Sequence, residues 1–378
     1  MIKFNKKLAL STILIFALII AGCGTYGNGS SSGSFSPFGS SPSKKIPELN
    51  VFVGTQGLTS EFVKNAPPQK VFESSSFPIL LRIRNIGSFS IDGKNQLSKY
   101  GTYLSIGRER DYIPELKIEE QNRMKTYDSI ESDNLAQFFI DGKTQTNPKG
   151  EEITVPVNAQ TGKLDPQSEN KQSTMTATLC YPYKTTLSTT VCIDPDIAGV
   201  RPGKKVCDVK ILSFGGGQGA PVAVKIIEPQ MIPEADKDII KPQFLIFVEN
   251  VGRGNPVNIN NYNNACNNMD FNDPKKKDEI RNIWNVAFLR AYSSGKEGEN
   301  QLICCPNING ECDEKESNTD KIAGFIRFHD KKDYARCIFK NGVPRNSDAF
   351  TSPLRVEIDY GYVQTISANF FIQKPVKY

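Results

Sequence analysis

The sequence predicts an all-β chain, with two sandwiches in tandem behind a signal peptide and a flexible linker. Three observations carry the expectation. An apolar N-terminal run ends in small residues and a cysteine, strand-forming segments recur in the same order in both halves, and helix signals are scarce. Hydrophobic residues make up 38% of the 378, with 29 glycines and 23 prolines. That balance favours many short strands joined by turns over long helices.

The N-terminus comes first. Met1 to Lys7 is a short basic region, and residues 8–20 (LALSTILIFALII) run apolar without a charge before Ala21-Gly22-Cys23. This is the n-region, h-region and small-residue site of a secretory signal. The apolar run is too short for a bilayer core of ~30 Å, which needs about 20 residues. Ile20-Ala21-Gly22-Cys23 resembles the lipobox of lipoprotein signal peptides. The resemblance implies that residues 1–22 are removed and that lipidation falls on Cys23, the first residue of the mature chain. The alternative is an uncleaved signal anchor with an unmodified Cys23. Either way the membrane is a partner through the N-terminal anchor, and the expected location is the extracytoplasmic face of the cell membrane. Residues 23–46 are rich in Gly, Ser and Pro without apolar periodicity, a flexible spacer with a span of ~25 Å.

Charge and cysteines bound the rest. Without Lys3, Lys6 and Lys7 the formal charge of +5 falls to +2, which argues against a nucleic-acid partner, because phosphate contacts need concentrated Lys and Arg. Besides Cys23 the chain has Cys180, Cys192, Cys207, Cys266, Cys304, Cys305, Cys312 and Cys337. An even number in an exported chain reads as a disulfide framework. No C-x2-C spacing is present and His329 is the sole histidine, so a zinc site is disfavoured. Bridges are expected within each half, apart from the boundary residue Cys207. In the first half Cys180–Cys192 across a hairpin and Cys192–Cys207 across a loop both remain open.

The repeat sets the architecture. Residues 179–193 (LCYPYKTTLSTTVCI) align without a gap on 358–372 (IDYGYVQTISANFFI), placing Tyr181 and Tyr183 over Tyr360 and Tyr362. Both alternate apolar and polar residues, and each reads as a hairpin. Earlier, residues 79–87 (ILLRIRNIG) match 244–252 (FLIFVENVG), with Asn85-Ile86-Gly87 over Asn250-Val251-Gly252. Asn-x-Gly after a strand is a turn signal, since both residues accept positive φ cheaply. The second half is 14 residues longer between the paired segments, which implies an insertion, placed at about 258–345 with the later cysteines. Within it Asp273-Pro274 and the following KKKDEIRNIWN predict a short helix with an apolar face at Ile280, Ile283 and Trp284. The predicted sandwiches span 47–205 and 208–378.

Strands ending in "RIRNIG" and "IFVENVG", each followed at a distance by a tyrosine segment, resemble the CARDB-like and related immunoglobulin-like adhesion modules of prokaryotic surfaces. The runs GTQGLTSEFVKNAPP (54–68), CYPYKT (180–185) and QGAPVAV (218–224) resemble those of secreted proteins from small-genome archaea. The resemblance covers most of residues 47–378 and implies two immunoglobulin-like β-sandwiches on a cell surface. It carries no activity with it.

Chemistry is thin along the chain. Gly215-Gly216-Gly217-Gln218-Gly219 precedes a strand rather than a helix, so it reads as a turn and not a phosphate loop. His329 is the sole imidazole base, and no G-x-S-x-G accompanies it. Asp194 and Asp196 come nearest to a metal set, but the repeating D-x-D-x-D-G of an EF-hand is missing and a capped turn explains them. Lys275, Lys276 and Lys277 read as a charged helix face. The Asn-rich run 258–268 reads as a polar loop pinned by Cys266, with a carbohydrate-facing role as the minor option. The four tyrosines read as core residues with bonded hydroxyls rather than as a binding surface. Neither a catalytic residue, a cofactor nor a metal is expected. The function expected is a non-enzymatic surface-tethered module serving structure, adhesion or contact with other envelope proteins or glycans. The alternative is a solute- or glycan-binding lipoprotein, which needs a concave pocket with convergent polar groups.

Overall fold

The computed structural model describes residues 51–127, 134–234, 236–266, 282–293, 302–305 and 324–375. The signal, Cys23, the spacer, Cys312, Lys275 to Lys277 and most of the expected helix lie outside them.

The alternation read from the sequence produces the strands. Buried and exposed residues alternate along the second strand of each repeat, so one face of each lies in the core. The first half forms β1 (Leu58–Phe62), β2 (Lys70–Phe72), β3 (Ser76–Asn85), β4 (Thr102–Gly107), β5 (Glu115–Ile118), β6 (Met124–Tyr127), β7 (Leu135–Phe138), β8 (Glu152–Gln160) and β9 (Asn170–Ile193). The second forms β10 (Leu212–Ser213), β11 (Val222–Glu234), β12 (Ile239–Asn250), β13 (Asn255–Val257), a one-turn helix α1 (Tyr262–Cys266), β14 (Val286–Ser293), β15 (Ile303–Cys305), β16 (Gly324–Arg327), β17 (Lys332–Ile338), β18 (Val343–Pro344) and β19 (Phe350–Gln373). The chain is all-β.

Each half builds the same arrangement. In the first, β1-β3-β8-β5 form one sheet and β9-β4-β7-β6 lie in the other. In the second, β11-β12-β17-β15 repeat the first order and β19-β14-β16 repeat the second. These orders place the strands as A-B-E-D and F-C-C′ of an immunoglobulin-like sandwich. A seventh strand, G, would normally lie beside F. Among the described residues neither half has it, and the partner half's F strand takes that edge. β9 and β19 pair antiparallel over all 24 residues of each, with Tyr181 opposite Tyr362, Tyr183 opposite Tyr360, and Pro182 opposite Gly361. The repeat and the register together define a pseudo-twofold axis through the Pro182–Gly361 pair. The sandwiches therefore share one nine-stranded sheet, and a single apolar cluster runs through both. Residues 49–378 form one compact unit. The boundary at 205/208 falls in the segment joining β9 to β10, but it separates halves that share a sheet.

Asn85 and Asn250 end equivalent strands, as the repeat predicts. Three expectations are corrected. The tyrosine segments are the middles of continuous strands and not hairpins, because alternation of period two is satisfied equally by folding back and by pairing with the other half. The range 258–345 is not one insertion, since β14 to β17 within it are the counterparts of β4, β5, β7 and β8. The extra length enters at the start of that range, where the chain takes 39 residues from Asn250 to Leu289 against 19 from Asn85 to Leu104. Bridges also do not stay within halves. Cys180 bonds Cys266 across them, while Cys192–Cys207 and Cys304–Cys337 are local and Cys305 is disulfide-bonded as well.

Candidate functional site

The tyrosines organise the inner face of the shared sheet. Tyr181, Tyr183, Tyr360 and Tyr362 are all buried, and their rings pack edge-on or tilted at centroid distances of 5.7–6.2 Å. Each hydroxyl reaches the facing sheet. Leu58 N donates to Tyr181 Oη at 3.3 Å, and its counterpart Val222 N donates to Tyr360 Oη at 3.3 Å. Tyr183 Oη donates to Asn85 Oδ1 at 3.4 Å, and Tyr362 Oη to Asn250 Oδ1 at 3.0 Å. Each asparagine also accepts from the glycine two residues on, closing the Asn-x-Gly turn. Two hydroxyls thus bond at the start of an A strand and two at the end of a B strand, not at an E–F corner. These phenols are core, and burial holds all four well above the ordinary tyrosine range.

Because side chains alternate, the residues between the tyrosines face the other way. Cys180, Lys184, Asp359 and Val363 thus share the outer face of the sheet. The Cys180–Cys266 bridge fastens the Asn-rich segment onto that face. There Tyr262 packs with Val257, Ile283 and Val363, and its hydroxyl donates to Gly101 O of the first half at 3.0 Å. Gly361 must be glycine at this point, since a Cβ would stand 2.3 Å from Tyr262 Cβ.

Beside this anchor a cleft of about 1190 Å³ opens. One wall is the connection from β3 to β4, contributing Phe89, Gln96 and Tyr100, and the other is the Asn-rich segment, contributing Ile259, Asn260 and Asn263. The floor is the shared sheet, with Lys184, Phe288, Arg290 and Asp359. Lys184 Nζ lies 2.9 Å from Glu357 Oε2 and 3.4 Å from Asp359 Oδ1, Arg290 pairs with Asp359, and Arg355 pairs with Glu357. Burial disfavours charge on both Lys184 and Glu357. The facing charges outweigh it, holding Lys184 above and Glu357 below their ordinary ranges.

These shifts fix the pH limits of stability. Glu357 has a depressed folded pKa, so its contribution is present above about pH 4.3 and is lost as pH falls through the folded value. The buried tyrosines have raised folded values, so theirs is present below about pH 10 and is lost above it. The melting temperature should be flat between those limits and fall on both sides. Ultraviolet titration should show the buried phenols ionising only together with the loss of β-sheet circular dichroism. Ionisation of all thirteen tyrosines in a still-folded chain would contradict the packing.

The other sequence candidates take structural places. Asp194 and Asp196 cap their own turn and pair with Lys205, at 2.6 and 3.5 Å. Among the described residues no group of three or more His, Cys, Asp and Glu is placed to hold a metal ion. His329 is exposed beside the β16–β17 turn, where Asp330 and Lys331 adopt positive φ. Gly216, Gly217 and Gly219 form a positive-φ turn into β11, as expected of a turn. The Asn-rich segment is pinned by Cys266 as expected, but to β9 of the other half. Sequence reasoning missed the floor ion pairs and the β3–β4 wall. The available signal was a lysine and two carboxylates beside the paired tyrosines in the middle of long strands.

No protein-family model matches the chain, and no curated protein matches it. Among solved structures, the C-terminal domain of the Streptococcus agalactiae AgI/II polypeptide BspA aligns at 10% identity over 84% of this chain and 98% of that one, with a TM-score of 0.19. The C-terminal domain of the Streptococcus pyogenes antigen I/II-family protein AspA aligns at 8% identity over 85% and 100%, with a TM-score of 0.21. AvmM, which catalyses macrocyclization in alchivemycin A biosynthesis, aligns at 13% identity over 34% and 75%, with a TM-score of 0.19.

Proposed function

We propose that the chain is a non-enzymatic, membrane-tethered module of the cell surface that meets other envelope components through the cleft on its shared sheet. The observation that carries this reading is the cleft itself. Both halves supply its walls, the sheet supplies its floor, and a disulfide fixes one wall in place. Concave sites with a few convergent polar groups between structural units are where ligands bind. The disulfides suit an oxidising compartment, and the export signal with its lipobox-like cysteine supplies both the route and the tether. The resemblance of the repeat to surface adhesion modules points the same way. The sole histidine is not among the residues that line the cleft, so acid–base chemistry there would lack an imidazole.

The test is made on the purified full-length chain and on isolated envelopes of the cell that makes it. Mass spectrometry should find an acylated Cys23 and no residues 1–22. The chain should bind the envelopes, and Tyr100→Ala with Asn263→Ala should abolish that binding. An intact Met1 with an unmodified Cys23 removes the lipid tether. Undiminished binding by the double variant removes the cleft as the contact site.

A further inference from the structure

Resting on the reading of the cleft as the contact site, we infer that its ligand is a short, uncharged glycan. Three features of the cleft select this chemistry: its charge, its free hydrogen-bonding groups and its aromatic wall.

Charge comes first. The cations of the floor are already matched, Lys184 by Glu357 and Asp359, and Arg290 by Asp359. An anionic ligand would face the buried Asp359 carboxylate, and a cationic one would face Lys99, Lys184 and Arg290. A neutral ligand meets neither repulsion.

The free polar groups come second. Asp359 on the floor is 5% exposed and its carboxylate is already paired with Lys184 and Arg290, so the groups open to a ligand are on the walls. Gln96 on one wall and Asn263 on the other have amides that no hydrogen bond within the described residues engages, and both line the cleft. A purely apolar ligand would bury these groups without partners, which is costly. Amides offer a donor and an acceptor side by side. A sugar hydroxyl both donates and accepts, so a polyhydroxylated ring can satisfy both amides at once.

The aromatic wall supplies the rest. Tyr100 is 54% exposed at the mouth and Phe89 lines the same wall. The C–H face of a sugar ring is apolar, and a tyrosine offers a flat apolar surface with a polar tip. The volume of about 1190 Å³ exceeds the roughly 300–1,000 Å³ of sites for drug-sized molecules, so it admits more than one ring. Peptides recognised through their main chain add to a free sheet edge. This cleft lies over the face of a sheet and is lined by side chains, which favours a sugar over an extended peptide.

The experiment presents the purified full-length chain to immobilised neutral oligosaccharides built on glucose, galactose and mannose, beside sialylated and sulfated ones. Titration calorimetry then follows the best binder. The expected result is binding confined to neutral glycans, with a Kd that changes less than about twofold between ~0.05 and ~0.5 M salt. Tyr100→Ala, Gln96→Ala and Asn263→Ala, all at the cleft surface, should each weaken it at least tenfold while leaving the melting temperature unchanged. Binding restricted to sulfated or sialylated glycans with steep salt dependence would overturn the inference. So would an affinity for neutral glycans that none of the wall variants alters. If these variants abolish envelope binding while no glycan binds, the glycan assignment fails and the cleft remains the contact site. If envelope binding is untouched as well, both readings fail.

Discussion

Gly87→Ala is expected to destabilise the chain by about 4 kcal/mol or more, beyond the usual cost of overpacking a core. A Cβ at this position would stand 1.7 Å from Tyr183 Oη and 2.6 Å from Gly219 O. Neither atom can withdraw freely. Tyr183 is fully buried, with its ring in the tyrosine cluster, and the Gly219 carbonyl already accepts from Ser88 N at 2.8 Å. The hydroxyl is held by Asn85, whose amide in turn donates to Phe89 O at 2.9 Å. The clash therefore strikes turn, tyrosine and facing sheet together. Gly252→Ala should behave alike, because its Cβ would meet Tyr362 Oη at 2.3 Å and Pro221 Cβ at 2.7 Å. Tyr183→Phe alone should cost less, about 1–3 kcal/mol, through the donor left unpaired at Phe89 N. Combined with Gly87→Ala it should be clearly less than additive, since the deleted oxygen is the nearest clashing atom. Urea denaturation of the four variants and the parent measures all of this, and each should unfold in one transition because the halves share a sheet. A Gly87→Ala protein within 1 kcal/mol of the parent would show that the tyrosine does not sit against this turn.

The same motif shows how much the sequence could reveal. Asn-x-Gly after an alternating strand, and tyrosines two apart, are local patterns, so both repeats and both strand ends were legible. The joining of the halves was not. Period two fixes which face a residue takes, but it does not name the neighbouring strand. Parity did hold one unused clue. Cys180 and Cys192 are twelve residues apart, so on a continuous strand they would lie ~40 Å from one another. Their pairing therefore required a hairpin, and without one Cys180 had to look beyond its own half. The cleft was less legible still. Its floor comes from three strands distant in sequence, and its walls from two loops without periodicity. Lys184, Glu357 and Asp359 hinted at it only as charges amid apolar neighbours.

Removing the Cys180–Cys266 bridge by paired serine substitution is expected to be the costliest disulfide loss among the described bridges. In the chain-entropy account a bridge stabilises by restricting the unfolded chain, and the effect grows with the loop it closes. The three bridges close separations of 86, 33 and 15 residues, which correspond to about 4.6, 3.7 and 3.0 kcal/mol. Cys180–Cys266 also does what the other two do not: it holds a cleft wall. With it gone, α1 keeps the Tyr262 hydrogen bond to Gly101 and its packing on Val257 and Val363. A five-residue helix has almost no stability of its own, so residues 258–266 should open locally before the sheet does. Hydrogen exchange there should therefore rise by more than the global loss of stability predicts, and binding through the cleft should weaken in step. Cys192→Ser with Cys207→Ser is the control, lowering the melting temperature while leaving exchange at 258–266 unchanged relative to the rest of the sheet. If the two pairs of variants raised exchange in that segment equally, the wall would be held by its own contacts, and the bridge would act on the unfolded chain alone.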